Sequence, residues 1–135
     1  MIYIVQNIVS ILLATIAGLA FGALYDRLFR QPRGTGTAAA RSTGFVVTAL
    51  LAEAWFAAIL AGALILAPAK AGNWTMALGT AVVIWIGFVV PVLVVTLSYR
   101  GLPRRIVLLD GGHWLGLMLV QAVVLKLVGL TAPVV

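Results

Sequence analysis

Four apolar runs, at residues 2–25, 43–67, 74–99 and 106–130, leave almost nothing of this chain with which to build a water-facing surface. Each holds 24 to 26 residues, more than the roughly 20 that an α-helix needs to cross about 30 Å of hydrocarbon. In lipid the backbone must satisfy its own hydrogen bonds, so only helices and closed barrels are available. A barrel needs strands of roughly 10 residues that alternate polar and apolar, whereas the run at 89–95 is apolar on every side. The expected fold is therefore all-α: a polytopic integral membrane protein, with one transmembrane domain over residues 1–135 and four helices in an up-down-up-down bundle. The runs take 100 of 135 residues, which leaves no room for a soluble catalytic domain. Composition agrees, since only 9% of residues are charged against about a quarter in soluble domains.

The net charge of +6 is distributed as membrane topology would place it. Seven of the nine basic residues lie in two connections: Arg27, Arg30, Arg33 and Arg41 after the first run, and Arg100, Arg104 and Arg105 after the third. Only Lys70 and Lys126 belong to the opposite side. By the positive-inside rule both arginine connections are expected in the cytoplasm and both termini outside. There each Arg gains about 1 kcal/mol from anionic lipid, so the basic charge calls for lipid and not for nucleic acid. Signal peptides carry positive charge before their apolar stretch. Here residues 1–10 have none, and the first run is expected to be a retained anchor. The connections at 68–73 and 100–105 are six residues each, and connections that short set neighbouring helices antiparallel. The connection at 26–42 contains Pro32, Gly34 and Gly36 and is expected to be irregular or a short surface helix. No internal repeat of the kind that marks many transporters is visible.

Three stretches suggest a family. Gly22-Ala-Leu-Tyr-Asp-Arg-Leu-Phe29, Trp85-Ile-Gly-Phe-Val-Val-Pro91 and Gly101-Leu-Pro-Arg-Arg-Ile-Val-Leu-Leu-Asp-Gly-Gly-His-Trp-Leu115 resemble the small bacterial membrane proteins of domain of unknown function family 1761. The likeness covers nearly the whole chain in the same four-helix order. It implies a multi-pass protein of the bacterial inner membrane and brings with it no activity, cofactor or catalytic residue.

Chemistry must then come from polar groups inside the membrane, where ionisable side chains cost about 2.5 to 3.5 kcal/mol on insertion and face protein or water. Glu53 lies two residues from the centre of its run, flanked on the same helical face by Ala49 and Ala57. It is expected to pack against another helix as a neutral hydrogen-bonding carboxyl. In the fourth run, Asp110, His113 and Gln121 fall on one arc, with Gly112 and Gly116 on the other side at about 100° per residue. This spacing predicts that Asp110 sits in the first helical turn and clamps His113 three residues on. It also predicts a glycine face open to close helix approach. In the third run Thr80, Gly87, Pro91 and Ser98 form a narrow strip, and Pro91 leaves the carbonyl of Gly87 without its helical donor. A kink is expected there, with that carbonyl available to Glu53 or to a bound molecule. The first run carries a Gly18/Gly22 pair, with Gln6, Asn7 and Ser10 at its water-accessible end. Tyr3, Tyr25, Trp74 and Tyr99 fit an interfacial aromatic belt, while Trp55, Trp85 and Trp114 lie deeper and are expected to pack or to meet a partner.

No metal site is expected, since Asp110, His113 and Glu53 lack a cysteine or second histidine to complete a shell, and nothing surrounds the single histidine as a nucleophile would. The chain is expected not to be an enzyme. Two function classes remain. One is a structural or accessory subunit, self-associating or part of a larger membrane complex, with some of the small-residue faces outside its own bundle. The other is an oligomeric transporter, proton-coupled or for a small solute, that uses Glu53.

Overall fold

The computed structural model describes residues 2–29, 42–68 and 72–133. Arg30, Arg33, Arg41 and Lys70, and the connection formed by residues 30–41, lie outside the described residues. The chain order is α1 (Ile2–Gln6), α2 (Ile8–Phe29), α3 (Thr43–Leu66), α4 (Asn73–Ile84), a π turn (Trp85–Val89), α5 (Val90–Tyr99) and α6 (Arg104–Val128). The first span is α1 with α2, the second is α3, the third runs from α4 through α5, and the fourth is α6. Four helices are long and apolar enough to cross a membrane, and no strand occurs among the described residues.

Contacts across the bundle fix its directions. Tyr3 meets Ala58, while Gly18 lies opposite Glu53, so the first two spans are antiparallel. Asn7 meets Thr131, and Tyr25 meets Leu109, which sets the fourth span antiparallel to the first. The core is centred on the first, second and fourth spans, around Ile11, Ala14, Ala57, Leu60, Met118 and Ala122, and Ala81 of the third span joins it. The third span stands at the edge: 6% of its most apolar window is buried, against 28–33% in the other three.

Local chemistry explains the element ends. The Ser42 side chain accepts a hydrogen bond from the Phe45 amide and caps α3. Pro103 occupies the position before α6, where a missing N–H costs nothing. That start places Asp110 at the seventh helical residue, two turns in, and corrects the first-turn position expected for it. In the third span the expected kink is a π turn: the Val90 amide donates to the Trp85 carbonyl five residues back. Such a turn absorbs the register that Pro91 cannot complete.

Candidate functional site

The interface between the first and fourth spans is built by matching glycines with large side chains. A Cβ added at Gly116 would lie 2.7 Å from Cε1 of Phe21, and one at Gly112 would lie 2.9 Å from the Tyr25 hydroxyl. In the opposite sense, a Cβ at Gly22 would come within 3.1 Å of Cε1 of His113. Gly62 of the second span receives Tyr3 in the same way, with its hydroxyl 2.8 Å from an added Cβ. Each glycine is a notch for a ring on the facing helix, which brings the backbones close enough for van der Waals packing to hold them. Gly18, Gly22, Gly112 and Gly116 are thus occupied within the chain. This corrects the expectation that some of these faces stay outside the bundle: Gly22, Gly112 and Gly116 meet rings of a neighbouring span, and Gly18 meets the side chains of Glu53 and Gln121.

Donors on these rings are spent on helix carbonyls. Tyr3 donates to the Ala58 carbonyl at 3.2 Å, Tyr25 to Leu109 at 3.1 Å and the Trp85 indole to Gly111 at 2.9 Å. The Trp85 bond pins the third span to the fourth. Asn7 and Ser10, expected at a water-accessible end, are buried. The Asn7 amide donates to the Thr131 carbonyl at 2.9 Å and accepts from the Thr131 amide at 2.7 Å, while Ser10 donates to the Gly129 carbonyl at 2.9 Å. Backbone that leaves α6 at Gly129 has lost its helical partners, and these two side chains replace them at membrane depth.

Two buried polar residues of different spans meet at Gly18. Glu53 is 8% exposed and Gln121 fully buried. A Cβ at Gly18 would lie 2.7 Å from Glu53 Oε2 and 2.9 Å from Gln121 Nε2. Gln121 Nε2 donates to the Glu53 backbone carbonyl at 3.5 Å. Glu53 Oε2 and Gln121 Oε1 have no hydrogen-bond partner among the described residues. Buried acceptors left without a donor are costly, and a protonated Glu53 would offer one.

One end of the same interface carries a second group. His113 Nδ1 lies 3.7 Å from Asp26 Oδ1, and the His113 ring meets Tyr25 edge-on at 5.3 Å. The sequence reading tied His113 to Asp110 on its own helix; the structure adds Asp26, which that reading had left in the connection. Nothing between Ala23 and Phe29 breaks a helix. The first span therefore runs on to Phe29, whose ring lies 4.7 Å from that of Tyr25. Exposed Arg27, Arg100, Arg104 and Arg105 surround this end of the bundle.

Gly87 and Pro91 face outward. No atom would come within 4 Å of a Cβ at Gly87, so this strip of the third span faces away from the core in which Glu53 is buried. No group of three or more His, Cys, Asp or Glu side chains that could hold a metal ion occurs among the described residues. Comparison with curated proteins and with solved structures gives no match. The family model described as Protein of unknown function (DUF1761) matches residues 9–126, and with this match over most of its length the chain belongs to that family.

Proposed function

We propose that the protein is a structural or accessory subunit of a membrane assembly, either a homo-oligomer or a larger complex, and not an enzyme. The observation that carries this reading is an apolar groove of about 300 Å³ between the third and fourth spans, walled by Trp85, Val94, Leu108 and Leu115. The groove opens beside the span with the smallest buried share in its most apolar window. A helix of a second chain fits such a groove, because association in lipid depends on close packing of complementary surfaces. Leu108 is 75% exposed, so Leu108→Trp fills the groove without entering the core. In native nanodiscs the wild type is expected to carry a stoichiometric second chain, which Leu108→Trp loses at unchanged thermal stability. A wild-type protein that stays monomeric in native lipid, with no co-purifying chain, overturns the proposal.

A second reading, proton-coupled or small-solute transport by an oligomer, is favoured by the paired acceptors of Glu53 and Gln121 in the core. Its discriminating result is loss of proton-linked flux in Glu53→Gln with the fold intact.

On this reading the protein belongs to the bacterial inner membrane, with its arginine-bearing end in the cytoplasm and against anionic lipid. Arg104 and Arg105 begin a helix, where cations oppose the helix dipole. Their position is better explained by the membrane surface than by any contribution to helix stability. The chain has no cysteine, so single cysteines at Gly36 and Asn73 report orientation directly. In intact cells an impermeant thiol reagent is expected to label Asn73→Cys and spare Gly36→Cys; the opposite pattern reverses the topology.

A further inference from the structure

At the end of the bundle opposite the arginines, the second, third and fourth spans diverge around a cleft of about 400 Å³. This lies within the roughly 300 to 1,000 Å³ typical of small-molecule sites. Leu64, Met76 and Leu130 give it apolar walls, and Asn73 and Lys126 give it polar groups. Lys126 stands in the last turn of α6 and is partly buried. It has no ion-pair or hydrogen-bond partner among the described residues. A lysine two residues from the end of a span ordinarily extends toward water along its own stem. Lys126 instead lines a cleft with greasy walls, a combination that suits a ligand with an anionic head and a hydrocarbon tail.

We infer that this cleft binds the phosphate headgroup of an anionic phospholipid, with Lys126 as counter-charge, Asn73 as hydrogen-bonding neighbour and the Leu64/Met76/Leu130 wall against an acyl chain. The site is separate from the arginine-rich surface and lies in the opposite leaflet. It requires neither of the functions proposed above. A soluble phosphate shares the head but gains nothing from the wall, which is the basis for separating the two sources. Lipid is also the more abundant ligand at this depth, because α6 ends two residues beyond Lys126 and brings the ammonium to headgroup level.

The test is native mass spectrometry of the full chain released from nanodiscs of phosphatidylcholine doped with phosphatidylglycerol. The wild type is expected to retain one phosphatidylglycerol more than Lys126→Gln, with apparent affinity for that lipid about five- to tenfold higher, from roughly 1 kcal/mol per basic residue at a membrane surface. Lys126→Arg should keep the lipid. Ala132→Trp, which fills the cleft and leaves the charge in place, should lose it. Equal retention by wild type and Lys126→Gln overturns the inference, as does retention by Ala132→Trp. Glycerol phosphate added to pure phosphatidylcholine nanodiscs is the second arm. If it binds the wild type, in a Lys126-dependent way, as tightly as the lipid does, the site belongs to a soluble anion and the lipid assignment fails. Thermal unfolding in pure phosphatidylcholine, unchanged across the three variants, shows that the fold is kept.

Discussion

Replacing Gly116 with Leu is expected to destabilise the bundle by about 3 kcal/mol, the upper part of the usual range for overpacking a tight interior. The Cβ alone would stand 2.7 Å from Cε1 of Phe21, and that ring is held by its neighbours, with the Tyr25 centroid at 5.9 Å and the His113 centroid at 6.5 Å. Gly18→Leu should be similarly severe, because its Cβ would press on both Glu53 Oε2 and Gln121 Nε2. Gly87→Leu is the control. Nothing lies within 4 Å of its Cβ, so its effect should stay within about 0.5 kcal/mol, as for other surface changes. Unfolding titrations in mixed micelles measure all three. Shrinking the ring in Phe21→Ala should recover part of the Gly116→Leu loss, the coupling expected of residues in contact. Equal tolerance of Leu at Gly116 and Gly87 would falsify the notch arrangement.

Glu53→Leu is expected to cost about 1 to 3 kcal/mol, the penalty for leaving a buried polar group unsatisfied, because it removes the carboxyl that lies beside the buried Gln121 side chain at Gly18. Glu53→Gln should cost less than about 1 kcal/mol, since an amide keeps a donor and nearly the same shape. Infrared difference spectra provide a readout that packing alone does not move. A protonated carboxyl band present in the wild type at neutral pH and absent in Glu53→Gln marks the proton on this side chain. A carboxylate band in its place, with Glu53→Leu as stable as the wild type, refutes a hydrogen-bonding role for a neutral Glu53.

Much of the fold was legible because lipid leaves a chain few options. Runs longer than a bilayer is thick must become helices, and short connections must reverse them. Glu53 was legible for a related reason: a carboxyl near the centre of such a run can be kept only against another helix. The Gly18/Gly22 and Gly112/Gly116 pairs were visible as places of close approach. What each approached was not, because a one-helix projection shows the notch without the ring that fills it. Asp26 was missed by treating Tyr25 as the end of hydrophobicity and therefore of the helix, although helices continue past the membrane surface until a breaker stops them.

The sequence by itself determined that this protein is a four-helix membrane protein, and it set the end of the bundle at which its arginines collect. Both are properties of single segments, decided by the transfer of side chains and backbone between water and lipid. Only the tertiary structure decided that Phe21 and Tyr25 enter the glycines of the fourth span, that Asn7 and Ser10 hold residues 129–131, that Gln121 meets Glu53 across Gly18, and that Gly87 and Pro91 face outward. Helix partners in lipid are selected by shape fit and interhelical hydrogen bonds, since apolar surface gains little by leaving one hydrocarbon medium for another. That fit is a property of two surfaces together and is written in neither segment alone.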